Sequence, residues 1–352
     1  MSIDRFLLRL PKVELHVHLE GSMRPAVLLE LARRNGLELP ARDEAGLKRW
    51  FRFTDFEHFV QVYLACSRAL RAPEDFQLLT LDFLAEQAYQ NVVYTEAHFT
   101  ISTHLANGLD GGEILAAMAE AIAEGERRYG VTLRLIPDIV RNVGVGPADR
   151  TLEWAFAGRE RGIVAALGLS GSERLYPAEP FRGHFAEAER RGLHRVAHAG
   201  EHGGPESIRS ALEVCAPERI GHGVRAVEDP SLVEELRAAR IPLEVCPSSN
   251  VCLGVAPDYA SHPFDRLYRA GVALSVNSDD PAFFNTNLTL EYLRLHQAFG
   301  YTPAELAGLS LEALRQSFLP EPEREALAES FREHFDALGR ELFGAPIEAP
   351  VS

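Results

Sequence analysis

Histidines and carboxylates stand at four places in this chain where short apolar runs end, and their types suit a metal ion that activates water. At residues 15–21, LHVHLEG, His16 and His18 are two apart. On a strand, period two puts both imidazoles on one side, able to share one ion. At residues 195–204, RVAHAGEHGG, the pattern H-x-x-E-H falls on His198, Glu201 and His202, the spacing of an inverted zinc-peptidase motif. That motif requires a helix, because only there do its two histidines face the same way. Gly200, Gly203, Gly204 and Pro205 argue against one: an interior glycine costs about 1 kcal/mol against alanine, and a proline ends a helix. The stretch reads instead as a strand running out into a glycine-rich loop. RIGHG (219–223) adds His222, and VNSDDP (276–281) adds Asp279 and Asp280. Each group alone has an ordinary structural reading; together they describe a metal-dependent hydrolytic site.

Such groups must be carried by elements whose ends meet on one face. Eight runs have the right form, apolar and closing on polar or glycine residues: 13–18, 92–99, 133–138, 163–169, 194–200, 219–223, 242–247 and 273–280. Amphipathic stretches such as 112–128 and 230–239 lie between them. Eight strands alternating with helices predict an α/β fold, a single TIM-type (β/α)8 barrel over residues 1–352, with its site at the C-terminal ends of the strands. A doubly wound open sheet is the alternative, and no GxGxxG follows any of the runs to support it. Residues 53–70, FTDFEHFVQVYLACSRAL, form a helical insertion after the first strand; it reads either as a cover for a pocket mouth or as an ordinary core-facing helix. Thr302 and Glu305 have the spacing of a capping box that opens the C-terminal helices, which run through Leu342.

The balance of 36 basic against 51 acidic residues, a net −15, argues against nucleic-acid or anionic-membrane partners and for a small-molecule substrate. No run approaches the roughly 18 apolar residues of a membrane span, and the N-terminus has no leader pattern, so the expected location is cytoplasmic. Cys66, Cys215, Cys246 and Cys252 form no CxxC pair and read mostly as small buried hydrophobes. Some metal barrels bridge two ions with a carboxylated lysine on an interior strand. The two lysines, Lys12 and Lys48, are not on the fourth strand, so one ion is expected. Oligomeric state is silent.

PKVELHVHLEG, VAHAGE, RIGHG, CPSSN and SVNSDDP, in that order over nearly the whole chain, resemble the adenosine deaminase family of the amidohydrolase barrels. The resemblance implies one zinc ion held by His16, His18, His198 and Asp279; iron(II), cobalt or manganese would suit the same donors. It implies that Glu201 gives a proton to N1 of a 6-aminopurine nucleoside, that His222 orients and deprotonates the attacking water, and that Asp280 holds that water and accepts a hydrogen bond near N7. Gly171 would approach the base edge through its backbone. The chain departs from the family at LSGSE, where Ser172 replaces an aspartate, and at HLEG, where Glu20 replaces the aspartate near the ribose 5′ hydroxyl. With Arg24 just beyond, able to bind a carboxylate through two hydrogen bonds, these departures favour 6-aminodeoxyfutalosine of menaquinone synthesis as substrate, then adenosine, then adenine. A peptidase and a non-catalytic nucleoside-binding member are the competing readings.

Overall fold

The computed structural model describes residues 2–53 and 56–349. Eight strands follow one another: β1 Lys12–His18, β2 Val92–Phe99, β3 Thr132–Val140, β4 Ala166–Ser170, β5 His194–Ala199, β6 Arg219–His222, β7 Leu243–Val245 and β8 Leu274–Val276. Each pairs in parallel with the next. The ring closes just past β8: Asp279 bridges Val17, its N–H donating to the His16 carbonyl (3.1 Å) while the His18 N–H donates to its own carbonyl (2.7 Å). This is the (β/α)8 barrel that the alternation of runs predicts. Its closure sets Asp279 against the two histidines of β1.

Two strands, β7 and β8, stop two or more residues before the ends of their apolar runs, for local reasons. Pro247 opens the helix Pro247–Cys252 and cannot donate to a ladder, so β7 stops early. After β8, the Asn277 side chain takes over the ladder's role, its Oδ1 accepting the N–H groups of Leu15 and His16. The stretches 112–128 and 230–239 are the helices Gly111–Tyr129 and Pro230–Ala239. Thr302 and Glu305 cap each other reciprocally at the head of Pro303–Gln316, and Glu321–Phe343 follows.

Inside the barrel, Ile136, Ala166 and Val196 form a small apolar layer under Phe318, whose ring lies 3.7 Å from the Arg219 guanidinium. Arg219 is fully buried and binds Glu96 on one side and Glu244 on the other (Nε to Oε1, 2.5 Å). Of the insertion expected over 53–70, Thr54 and Asp55 lie outside the described residues; Phe56–Ser67 is a helix. Its Phe59 stacks on Phe284 at 5.5 Å, tying it to the loop after β8. Cys66, Cys215 and Cys246 are buried, whereas Cys252 is exposed. Among the described residues no helix is long and apolar enough to cross a membrane.

Candidate active site

His16 and His18 at the end of β1, His198 on β5 and Asp279 past β8 bring one ligand atom each to within 4.8 Å of one another. His18 Nε2 lies 3.2 Å from His198 Nε2 and 3.4 Å from Asp279 Oδ1. His16 Nε2 is 3.5 Å from the same oxygen and, though buried, has no hydrogen-bond partner. Two imidazole nitrogens facing each other this closely, beside an orphaned third and a carboxylate, form a donor set that fits a divalent cation. Burial, reinforced by neighbouring His98, pushes His18 down to about 4, which keeps it in the neutral form a metal ion takes.

The groups behind the donors fix how they point. Glu244 Oε2 accepts from His16 Nδ1 at 2.8 Å, and the Leu169 carbonyl accepts from His198 Nδ1 at 3.1 Å. Both rings therefore turn their Nε2 lone pairs inward. The charge of Arg219 and the hydrogen bond from His16 outweigh the effect of burial on Glu244 and hold it down at about 2. Sequence reasoning missed Glu244, Arg219 and Glu96. The available signal was charge inside apolar strand runs, where an inward residue must find a partner.

The H-x-x-E-H residues are not on a helix: His198 belongs to β5, while Glu201 and His202 lie in the loop before the helix Pro205–Cys215. That loop is held by Glu173, whose carboxylate accepts from the N–H groups of Gly200 (2.7 Å), Glu201 (3.0 Å) and His202 (3.1 Å). Gly200 has φ +71°, and a Cβ there would come within 2.4 Å of Ile208. Glu201 Oε2 is 3.1 Å from His202 Nδ1 and 3.8 Å from His222 Nε2. Burial raises the Glu201 carboxyl, but the neighbouring His222 and His202 imidazoles outweigh it and leave it below its ordinary value.

His222 ends β6 in the left-handed region, φ 62°. Its tautomer follows from a chain that starts at a backbone donor. The Phe264 N–H donates to His262 Nδ1 (3.0 Å), His262 Nε2 donates to Asn250 Oδ1 (3.0 Å), and the Asn250 amide reaches His222 Nδ1 (3.3 Å). A backbone N–H cannot reverse, so His222 Nδ1 accepts and its Nε2 carries the hydrogen toward the site. Asp280 is buried with Oδ1 unpartnered; burial, and then the charge of Asp279, raise its proton affinity well above the ordinary range. Gly21 makes room for it, since a Cβ at that position would fall 1.8 Å from Asp280 Oδ1.

Of these, His18, His198, Glu201, His222, Asp279 and Asp280 line the floor of a cavity of about 280 Å³. Phe59, Val60, Tyr63 and Leu64 of the helix Phe56–Ser67 form one wall, so the insertion borders the cavity. Gly171, Ser172 and Asn142 form another, with the Ser172 N–H donating to Asn142 Oδ1 at 2.8 Å. Two expected substrate residues are not brought to this cavity. Glu20 is fully buried behind its wall, Oε1 accepting from the Thr100 N–H (2.9 Å) and meeting His104 Nε2 (3.0 Å). Arg24 precedes Pro25 at the start of a helix and points outward to Asp82 and Glu86. Among the described lining residues there is no arginine or lysine, so the carboxylate expected of 6-aminodeoxyfutalosine finds no cation here.

The family model described as Adenosine deaminase matches residues 11–334. An adenine deaminase of Cupriavidus metallidurans is 39% identical over 334 residues, covering 94% of this chain and 94% of that one. Among solved structures, an adenine deaminase from Arthrobacter aurescens superposes with a TM-score of 0.86 at 33% identity, covering 92% of this chain and 98% of that chain. An amidohydrolase from Burkholderia ambifaria with bound zinc superposes with a TM-score of 0.89 at 25% identity, over 97% and 95% of the two chains.

Proposed function

Because this chain belongs to the adenosine deaminase family, we propose that it hydrolyses the 6-amino group of adenine, giving hypoxanthine and ammonia. The observation that carries this choice over 6-aminodeoxyfutalosine is the cavity: no arginine or lysine stands among its described lining residues, and Glu20 and Arg24 are engaged elsewhere. The relatives named adenine deaminase support the same choice. The expectation of 6-aminodeoxyfutalosine is set aside on both grounds, and adenine moves from last of the three substrates to first.

His16, His18, His198 and Asp279 are the residues that hold the metal, with zinc favoured by the zinc-bound relative. When bound, the ion supplies Lewis-acid activation of a water molecule. The chain's own groups carry the rest. Glu201 donates to ring N1 as the water oxygen reaches C6, because attack there breaks aromaticity and the ring must be protonated in step. Asp280, buried with Oδ1 unpartnered, takes the proton the water loses and passes it to the departing amine. His222 serves as a hydrogen-bond donor through Nε2 and holds the oxygen, a change from the base that the resemblance implies and a consequence of the His262–Asn250 chain. Gly171, at φ +96°, presents its backbone to the ring edge where a side chain would meet Asn142. Measuring ammonia release from adenine and adenosine on metal-analysed protein tests the reading; adenosine turned over at least as well as adenine by kcat/KM refutes it.

A further inference from the structure

His202 has no part in the mechanism just given, yet its Nδ1 meets the carboxyl group that must supply a proton. The contact, Nδ1–H to Glu201 Oε2 at 3.1 Å, is made by a side chain that does not itself line the substrate cavity. It borders a second cavity of about 370 Å³, whose walls include Arg141, Glu173, Arg174, Glu206 and Arg225. His202 is thus a side chain that touches Glu201 and also lines a separate cavity. Its main chain is held firmly: the carbonyl accepts from Arg174 Nε and Arg225, both at 2.7 Å, and the N–H donates to Glu173.

We propose that His202 holds the proton that Glu201 delivers to the purine ring and hands it over through the Nδ1–Oε2 contact. The reasoning starts from a conflict at Glu201. A general acid must arrive protonated, while His222 and His202 together favour its charged form. The conflict disappears when the pair is counted as one acid. At rest the shared proton is on His202, facing Glu201. A purine that closes off the site removes water from the ion pair and favours its neutral form. The Nδ1–H bond of His202 then breaks as the Oε2–H bond of Glu201 forms, and charges of +1 and −1 become zero. The O–H bond of Glu201 breaks in turn as N1–H forms. When the C6 carbonyl forms and ammonia leaves, the C6 hydroxyl proton returns to the Glu201–His202 pair. No proton is gained or lost over the cycle, and no co-reactant is needed.

The charges around His202 agree with a proton held near neutral pH. Burial pulls its imidazole down, but the charge and hydrogen bond of Glu201, then the charge of Glu173, outweigh burial and Arg174 and raise it. Arg225, packed on its carbonyl, and Arg141 and Glu206 across the cavity complete its charged surroundings. His202 is therefore a proton-holding and positioning residue that acts through Glu201.

The inference rests on Glu201 acting as the acid of the deamination, and the test separates the two ideas. His202→Asn places an amide N–H where Nδ1 stands, keeping the hydrogen bond to Glu201 without a group that titrates; His202→Ala removes both. With adenine, kcat is expected to fall on the order of 10²-fold in both variants, with KM within about twofold and metal content unchanged. The alkaline limb of the kcat/KM profile, set in the parent by loss of the shared proton, moves to lower pH by a unit or more. An Asn variant that keeps parental kcat and an unmoved alkaline limb, while Ala alone is impaired, makes His202 an anchor and overturns the relay; so does parental activity in both. A parent that releases no ammonia from adenine refutes the deamination reading instead.

Discussion

Glu244→Gln is the perturbation whose consequence the site fixes most narrowly. In the parent both carboxylate oxygens are committed: Oε2 accepts from His16 Nδ1 at 2.8 Å and Oε1 from Arg219 Nε at 2.5 Å. Glutamine keeps the shape but turns one acceptor into a donor. If the amide faces Arg219, donor meets donor in a fully buried place. If it faces His16, the ring must take the tautomer with hydrogen on Nε2, the nitrogen expected to bind metal. Either orientation weakens the site. Loss of a partner that orients a ligand costs about 10–100-fold in metal affinity, or roughly 1.4–2.8 kcal/mol at 1.36 kcal/mol per decade. Competition with a chromophoric chelator measures the dissociation constant in parent and variant, and circular dichroism reports that the barrel is intact. An intact variant that binds zinc within about twofold of the parent refutes the orienting role of Glu244.

Three further outcomes follow from particular contacts. Gly21→Ala sets a Cβ 1.8 Å from Asp280 Oδ1 and must displace that carboxylate; kcat on adenine is expected to drop on the order of 10²-fold with the metal retained, and activity within a few-fold of the parent contradicts the geometry. Arg24→Ala removes only an outward ion pair with Asp82 and Glu86, so kcat/KM stays within about twofold and stability falls by about 1 kcal/mol or less in a urea titration; a large rise in KM would return Arg24 to the substrate site. Lys12 is buried with Nζ on the Leu7 and Leu10 carbonyls, and burial lowers it from 10.5 to about 7. Between those values the native state holds fewer protons than the unfolded chain, so this residue makes stability rise as pH increases from about 7 toward 10. Urea midpoints of parent and Lys12→Met across that range are expected to show a flatter rise in the variant, and equal slopes contradict the assignment.

The converging groups could be placed from the sequence because His16 and His18 share a face by period two and His198, His222, Asp279 and Asp280 close apolar runs whose order a barrel imposes; which four would hold a metal came from the family resemblance alone. The supporting groups were harder to see. Glu244 and Arg219 find each other across two neighbouring strands, and His262 reaches His222 only through Asn250; such pairings depend on register and loop course, which no local pattern encodes. Arg24 failed for a related reason. Closeness to strand β1 in sequence says nothing of direction, and Pro25 starts a helix that turns the arginine toward the helix Pro73–Tyr89. His202 was legible as part of a motif, but its relation to Glu201 required the loop that Glu173 holds.

The central claim is that this barrel deaminates a free purine base. The measurement that meets it most directly is kcat/KM for ammonia release from adenine, adenosine and 6-aminodeoxyfutalosine, run side by side on the zinc-loaded protein. The account predicts adenine ahead of both by about tenfold or more, because one polar moiety left unpartnered against the apolar wall of Phe59, Val60 and Leu64 costs roughly 1–3 kcal/mol. Adenosine or 6-aminodeoxyfutalosine turned over at least as well as adenine would contradict it.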